Sequence, residues 1–324
     1  MLSLRETDYI TGKEANVMQL FKKILAVFLA LASAAAPSLC LRWRIPRVPQ
    51  GQRIDLSQFT MTWHDEFDGD TLDRSKWGFN WWETVRKGGY WHEDMVSVED
   101  GDLVIRAEYL DEPLENAYYD QWHDRIDFAP YKAGYYTGEV STRDKFEQCY
   151  GYFEVRCILP AATGLWSAFW MMNQGVYAVD GFGNDGTEVD VFESMYYKDH
   201  WRGMDAVIGG IHYDNYGIDA KGDSIGKVFL ESDPYTTYNT YGLEWNPDAY
   251  IFYLNGVECG RLSTGGVSDN PEYLILSVEI AGKDGVADAD RHGVGKITHT
   301  PAQNWPVAFK VDYVRAYQYN AYLD

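Results

Sequence analysis

From Met61 onward the chain is a succession of short runs in which apolar and polar residues alternate, each closed by a Gly- or Asp-rich turn. Side chains of a strand point alternately to its two faces, so such runs predict half-buried strands rather than helices. MTWHDEF, LVIRAEYL, YYTGEVST, YGYFEVRCIL, LWSAFWMM, EVDVFES, AVIGGIHY, TYGLEW, YIFYLNG and FKVDYVRAYQ follow one another in this way, without a long amphipathic helix. Many short strands separated by turns predict an all-β antiparallel sandwich. Asn255-Gly256, between YIFYL and VECGRL, predicts a tight hairpin, because both central positions of that turn favour positive φ. Residues 176–187 and 282–305 lack the alternation and are expected to be loops at the edge of a groove.

One run differs from the others. In GTEVDVFES, Val189 and Val191 would face a core, leaving Glu188 and Asp190 together on the opposite face. Glu193 lies five residues after Glu188 and would point into the core of a regular strand. One extra residue at Val191 or Phe192, a β-bulge, would return it to the acidic face. Three carboxylates on one face repel one another, which is costly to keep without a use. Two Glu converging from one strand suit double-displacement glycoside hydrolysis, which needs the carboxyl groups about 5–5.5 Å apart. Hard oxygen donors on one face could instead hold a calcium ion.

Composition narrows the partners. Of the 324 residues, 49 are acidic and 28 basic, and the net charge of −21 repels nucleic acid and anionic membranes. It also disfavours heavily sulfated polymers, so a neutral polysaccharide is the easier ligand. The 12 Trp and 25 Tyr exceed what a core of this size requires, and sugar rings stack on such side chains. Cys40, Cys149, Cys157 and Cys259 have neither metal-ligand spacing nor a disulfide framework.

The first 40 residues read as an upstream segment and a secretory signal. Lys22 and Lys23 precede an apolar run over 24–36 and the small-residue stretch ASAAAPS, and Met18 offers a conventional start. The run is too short for a comfortable membrane span, and a secreted, monomeric protein with no stable membrane partner is expected. Residues 41–58 are expected to be a linker or edge segment, and residues 59–324 the folded domain.

EVDVFE, preceded by YGYFEVR and GLWSAFWMM and followed by TYGLEW and VDYVRAYQ, resembles glycoside hydrolase family 16 over roughly Thr60 to Gln318. The two residues between Asp190 and Glu193 resemble the bulged, laminarinase-like branch. The resemblance implies a concanavalin-like β-sandwich (jelly roll) with an open substrate cleft on the concave sheet. It implies retaining endo-hydrolysis of β-linked polysaccharide with no cofactor for catalysis. Glu188 would be the nucleophile and Glu193 the general acid and base, with Asp190 hydrogen-bonding Glu188 or holding the pair's shared charge. Trp166 and Trp170, four apart on one strand, would face the sugar, and Trp245 would sit beside the scissile ring. His212 would bond a sugar hydroxyl or the acid cluster. A structural calcium would be held by Glu66, the main chain at Gly101, and Asp312.

Two departures from the laminarinase pattern bear on substrate. The block after the first strands reads WWETVRKGGYWHEDMVSV, so Arg86, Trp91 and His92 are expected to replace the substrate contacts of the usual Asn-Glu pair, with Trp91 binding substrate. A late strand reads LILSVEIAG and carries Glu279, which adds a fourth acid if it faces the cleft and is a surface charge if it does not. An endo-β-1,3(4)-glucanase of laminarinase type is the leading reading. An endo-β-galactanase, a non-catalytic glycan-binding module and a transglycosylase are its rivals.

Overall fold

Two stacked β-sheets account for the alternation in the computed structural model of the chain, which describes residues 49–79, 85–115, 131–195, 206–288, 297 and 306–323. The larger sheet runs Val257–Leu262, Ala249–Leu254, Asn239–Asn246, Gly151–Ile158, Val307–Tyr319, Asp102–Leu110, Gly134–Thr137, Gly89–Trp91 and Val85–Arg86. Phe59–Asp65 pairs with Val307–Tyr319, and Val96–Glu99 with Asp102–Leu110. The smaller sheet runs Lys221–Phe229, Ala206–Tyr213, Glu188–Met195, Leu165–Met172, Glu272–Ile280 and Glu139–Ser141, with Glu147–Gln148 also pairing Glu272–Ile280. Neighbouring strands are antiparallel except Gly89–Trp91 and Gly134–Thr137. The architecture is the expected all-β jelly-roll sandwich.

The core lies between the sheets. Phe153, Val155 and Cys157 alternate inward from one sheet, and Phe169, Met171, Leu274, Leu276 and Val278 meet them from the other. Leu165–Met172 is buried along its whole length, because one face meets the core and the other forms the floor of a cleft. The Asn255-Gly256 hairpin has positive φ at both positions, 50° and 73°. Lys221–Phe229 is a strand that periodicity does not reveal. KGDSIGKVF offers no apolar face, and the segment is held at the sheet edge by backbone pairing to Ala206–Tyr213. Residues 49–58 run along the opposite sheet's edge, where Gly51 N and Ile54 N donate to Glu258 and Gly256 carbonyls. Cys149, Cys157 and Cys259 are free thiols, and Cys157 is fully buried. Cys40, the expected signal segment, the rest of residues 1–48 and most of the 282–305 loop lie outside the described residues.

Two expectations are corrected here. Trp245 is 0% exposed, with its ring between the sheets at 5.9 Å from Tyr250. Its Nε1 donates to the Ser268 carbonyl at 3.1 Å, so even its polar edge is satisfied internally. Strand alternation sends Tyr241, Leu243 and Trp245 inward together, and Trp245 is a core residue that does not meet a substrate. The calcium ligands are also not available. Both Glu66 carboxylate oxygens accept from Arg315, at 2.9 and 2.8 Å, and Asp312 accepts from Arg156, whose guanidinium stacks on Tyr238. Gly101 sits in the turn before Asp102, whose carboxylate takes the Tyr238 hydroxyl. Arginines thus supply the positive charge that a cation would bring, and the residues do not fit calcium. Millimolar calcium or a chelator is therefore expected to move the thermal unfolding midpoint by less than about 1 °C; a calcium-dependent rise of several degrees would contradict this assignment.

Candidate active site

Glu188–Met195 lies between Leu165–Met172 and Ala206–Tyr213 in the middle of the smaller sheet. On one side the register passes from Trp170↔Asp190 to Phe169↔Phe192, and on the other from Asp190↔Gly210 to Glu193↔Ile208. Val191 is the extra residue of a β-bulge. Val189, Val191 and Phe192 all join the core, so the period of two is broken once and Glu193 returns to the face of Glu188 and Asp190. Across from the bulge, a Cβ at Gly209 would come within 2.6 Å of the Phe252 ring, so glycine lets the two sheets close tightly beneath it.

The three carboxyl groups line a cleft of about 1230 Å³ on the outer face of this sheet. Alternate residues Trp166, Ala168, Trp170 and Met172 form part of its floor. Trp166 and Trp170 are each 8% exposed, so they offer a surface to lie on rather than protruding platforms. Trp170 Nε1 donates to Ser277 Oγ at 3.1 Å. The Lys87 ammonium stands 3.4 Å from the Trp166 ring centroid, so a sugar stacking there must displace or share it. Contrary to the expectation that it binds substrate, Trp91 is buried beneath the Arg86 guanidinium, 4.9 Å away, and donates to the Val278 carbonyl, so it supports the cleft wall and does not form it. His92 is likewise engaged with Glu115 and Asp94.

Glu279 faces the cleft, but as a bound charge. Arg86 Nε lies 2.6 Å from one of its oxygens and Lys87 Nζ 2.7 Å from the other. Despite its burial, Arg86 and Lys87 together hold the Glu279 carboxyl below the usual range. The fourth acid is therefore neutralised in place, and it orients two cations on the wall.

Burial and the neighbouring Asp190 charge push both Glu188 and Glu193 upward, Glu188 to about 7 and Glu193 well above the usual carboxylate range. The Tyr216 hydroxyl donates to Glu188, stabilising its ionised form against that rise. His212 Nε2 is 3.3 Å from Asp190 Oδ2. The Asp190 hydrogen bond raises His212 to about 9, so the imidazole stays charged at neutral pH and offsets part of the cluster's negative charge. Glu188, Asp190 and His212 are also the group among the described residues whose ligand atoms could meet on one metal ion. The local chemistry favours another use, since a charged imidazole is not a metal ligand.

Tyr216, Tyr177, Lys221 and Asp223 also line the cleft and were not singled out by sequence patterning. They come from loops and an edge strand, where no period marks which side chain faces inward. The one local signal is Tyr216 itself, an aromatic two residues after IHYD.

Residues 59–319 match the family model described as Beta-porphyranase A-D, GH16 domain. The chain is 27% identical to glucan endo-1,3-beta-glucosidase A1 of Niallia circulans, over 81% of this chain and 38% of that protein. It is 28% identical to the keratan-sulfate endo-1,4-beta-galactosidase of Sphingobacterium multivorum, over 91% and 66% respectively. Among solved structures it is similar to SCLam, a non-specific endo-beta-1,3(4)-glucanase from family GH16, with 26% identity, a TM-score of 0.60, and 85% and 97% of the two chains covered. The chain spans about half or less of the length of the first curated relatives it matches. With a family model matched from the first strand of the sandwich to the last, and its acidic strand bulged at the centre of the cleft, the chain belongs to glycoside hydrolase family 16.

Proposed function

We propose that the protein is a secreted, retaining endo-β-glycosidase that cleaves a β-linked polysaccharide by double displacement. The observation that carries this reading is the bulge at Val191, which puts Glu188 and Glu193 on one face with Asp190 between them. Glu188, whose ionised form accepts the Tyr216 hydrogen bond, attacks the anomeric carbon. Glu193, held protonated by burial and the Asp190 charge, gives its proton to the departing glycosidic oxygen. It then takes a proton from water, which attacks the glycosyl-enzyme bond, releases Glu188 and leaves the anomeric configuration as it was. Asp190, held by His212, raises the proton affinity of both carboxyls. No metal or redox group takes part in this scheme. Secretion rests on the charged, apolar and small-residue order of the first 40 residues.

A neutral β-1,3(4)-glucan, cut within the chain, is the proposed substrate, in keeping with the names of the curated relatives. Charge on the cleft lining supports it: five carboxyl groups (Glu188, Asp190, Glu193, Asp223, Glu279) face five cations (Arg86, Lys87, Arg143, Lys221 and the charged His212). Two of those cations share Glu279, and Lys221 is paired with Asp214 at 2.6 Å, leaving little net attraction for a polyanion. The second reading is an endo-β-galactanase. It is favoured by the description of the family model and by the placing of Arg86 and Lys87 over the floor, where a sulfate could take one of them from Glu279. A product assay of the chain from about Leu41 on laminarin, mixed-linkage glucan, agarose and porphyran separates the two. Oligosaccharides from either glucan are the expected result; products from agarose or porphyran alone would transfer the assignment to galactans. No products from any of the four, with binding retained, would leave a glycan-binding module.

A further inference from the structure

Immediately after the strand Ala206–Tyr213, two consecutive non-glycine residues take left-handed backbone angles, Asp214 at φ 59° and Asn215 at φ 68°. Such a pair is unfavourable for L-residues and persists only where the surroundings over-determine it. Here they do. The Asp214 side chain is fully buried and accepts from the backbone N–H groups of Asp180 and Gly181, at 3.1 and 3.0 Å, while Lys221 Nζ stands 2.6 Å from its other oxygen. Asn215 N donates to the Val176 carbonyl at 2.7 Å. The strained turn is therefore clamped to the loop that begins at Val176, and it reverses the chain so that Tyr216 comes back over the acidic strand.

Tyr216 arrives with its hydroxyl on Glu188 Oε2 and its ring 5.6 Å from Tyr177, edge to face. Both rings line the cleft and both remain 47% exposed. A side chain so open to solvent would ordinarily sample several rotamers. This one is held by a carboxylate at one end and a neighbouring aromatic along its edge.

We propose that Tyr216 is a positioning residue for Glu188: delivered by the clamped Asp214–Asn215 turn, its hydroxyl engages one carboxylate oxygen and leaves the other to face the anomeric carbon. The inference rests on the reading of Glu188 as nucleophile. The Tyr216–Tyr177 pair stands over that carboxylate, so a pyranose occupying the cleft there would cover the hydrogen bond from water and strengthen it. Tyr216 thereby favours the ionised carboxylate against the burial and the Asp190 charge that oppose it.

The test reads Glu188 itself, in protein labelled with ¹³C at the glutamate carboxyl carbon, with Glu188→Gln assigning the resonance. In Tyr216→Phe, which removes only the hydroxyl, the Glu188 titration midpoint is expected to rise by roughly half a pH unit or more. The acid limb of the kcat/KM profile should move up with it while the basic limb stays. The other titratable and charged groups facing Glu188 are unchanged in this variant: Asp190 and Glu193 on its own strand, His212 on the next, Arg86 on the wall and buried Glu272. Asp214→Asn, which loosens the clamp and leaves the hydroxyl present, should shift the midpoint in the same direction. Unaltered midpoints in both variants would overturn the proposal. The titration needs no substrate, so the two readings fail separately: turnover retained in Glu188→Gln removes the nucleophile assignment whatever Tyr216 does. A dead Glu188→Gln beside an unmoved Tyr216→Phe removes only the positioning role.

Discussion

Glu188→Gln and Glu193→Gln are each expected to lower kcat/KM by at least about a thousandfold, roughly 4 kcal/mol of transition-state stabilisation, with the fold and glycan binding retained. The amide keeps the size of each side chain and removes the two abilities the proposed reaction needs, forming a bond to carbon and giving up a proton. Neither change strains the sandwich, because both side chains face the cleft and the bulge is held by Val189, Val191 and Phe192 in the core. Replacing either acid also relieves repulsion with Asp190, so thermal stability should stay level or rise. The parent profile should be bell-shaped. Activity rises with pH as Glu188 ionises, near the value of about 7 to which burial and Asp190 push it, and falls at higher pH as Glu193 loses its proton. The measurement is kcat/KM across pH for the three proteins, on whichever polysaccharide the product assay identifies. Full activity in either Gln variant would sink the double-displacement reading.

Trp245→Ala should produce the largest loss of stability, about 3–5 kcal/mol, because it empties a large fully buried volume between the sheets and orphans the Ser268 carbonyl. In a domain of this size that corresponds to roughly 10 °C in the unfolding midpoint. The side chain touches Tyr150, Phe153 and Tyr250 rather than the cleft, so KM measured well below the midpoint should be little changed. The opposite pattern, a raised KM with an unmoved midpoint, would return Trp245 to the sugar-binding surface. Thermal denaturation and steady-state kinetics on the same preparation decide it.

Much of the sandwich was legible along the chain because burial in a half-exposed strand leaves a period of two. YGYFEVRCIL shows it plainly, and its Phe153, Val155 and Cys157 are core residues. The same reasoning foresaw the irregularity in the acidic strand. Val189, Asp190 and Glu193 cannot all keep their expected faces without an added residue, and the registers locate it at Val191. Lys221–Phe229 escaped because an edge strand can be held by its backbone alone, which imposes no apolar pattern.

Trp91, Trp166, Trp170 and Trp245 show the limit of such reasoning. All four are tryptophans on strands, yet two form cleft floor, one supports an arginine and one fills the core. Glu279 likewise had two readings until Arg86 and Lys87, nearly 200 positions away, were found on its two oxygens. Residue identity and local period determined that this chain makes alternating strands, that one of them carries three acids, and that its faces must be re-set by a bulge. Which face of the sandwich becomes a cleft, which charges are neutralised there, and that Tyr216 reaches Glu188 were decided only by the tertiary structure. The physical reason is range: strand alternation is a property of adjacent residues, whereas proton affinity, ion pairing and burial depend on groups that only folding brings together.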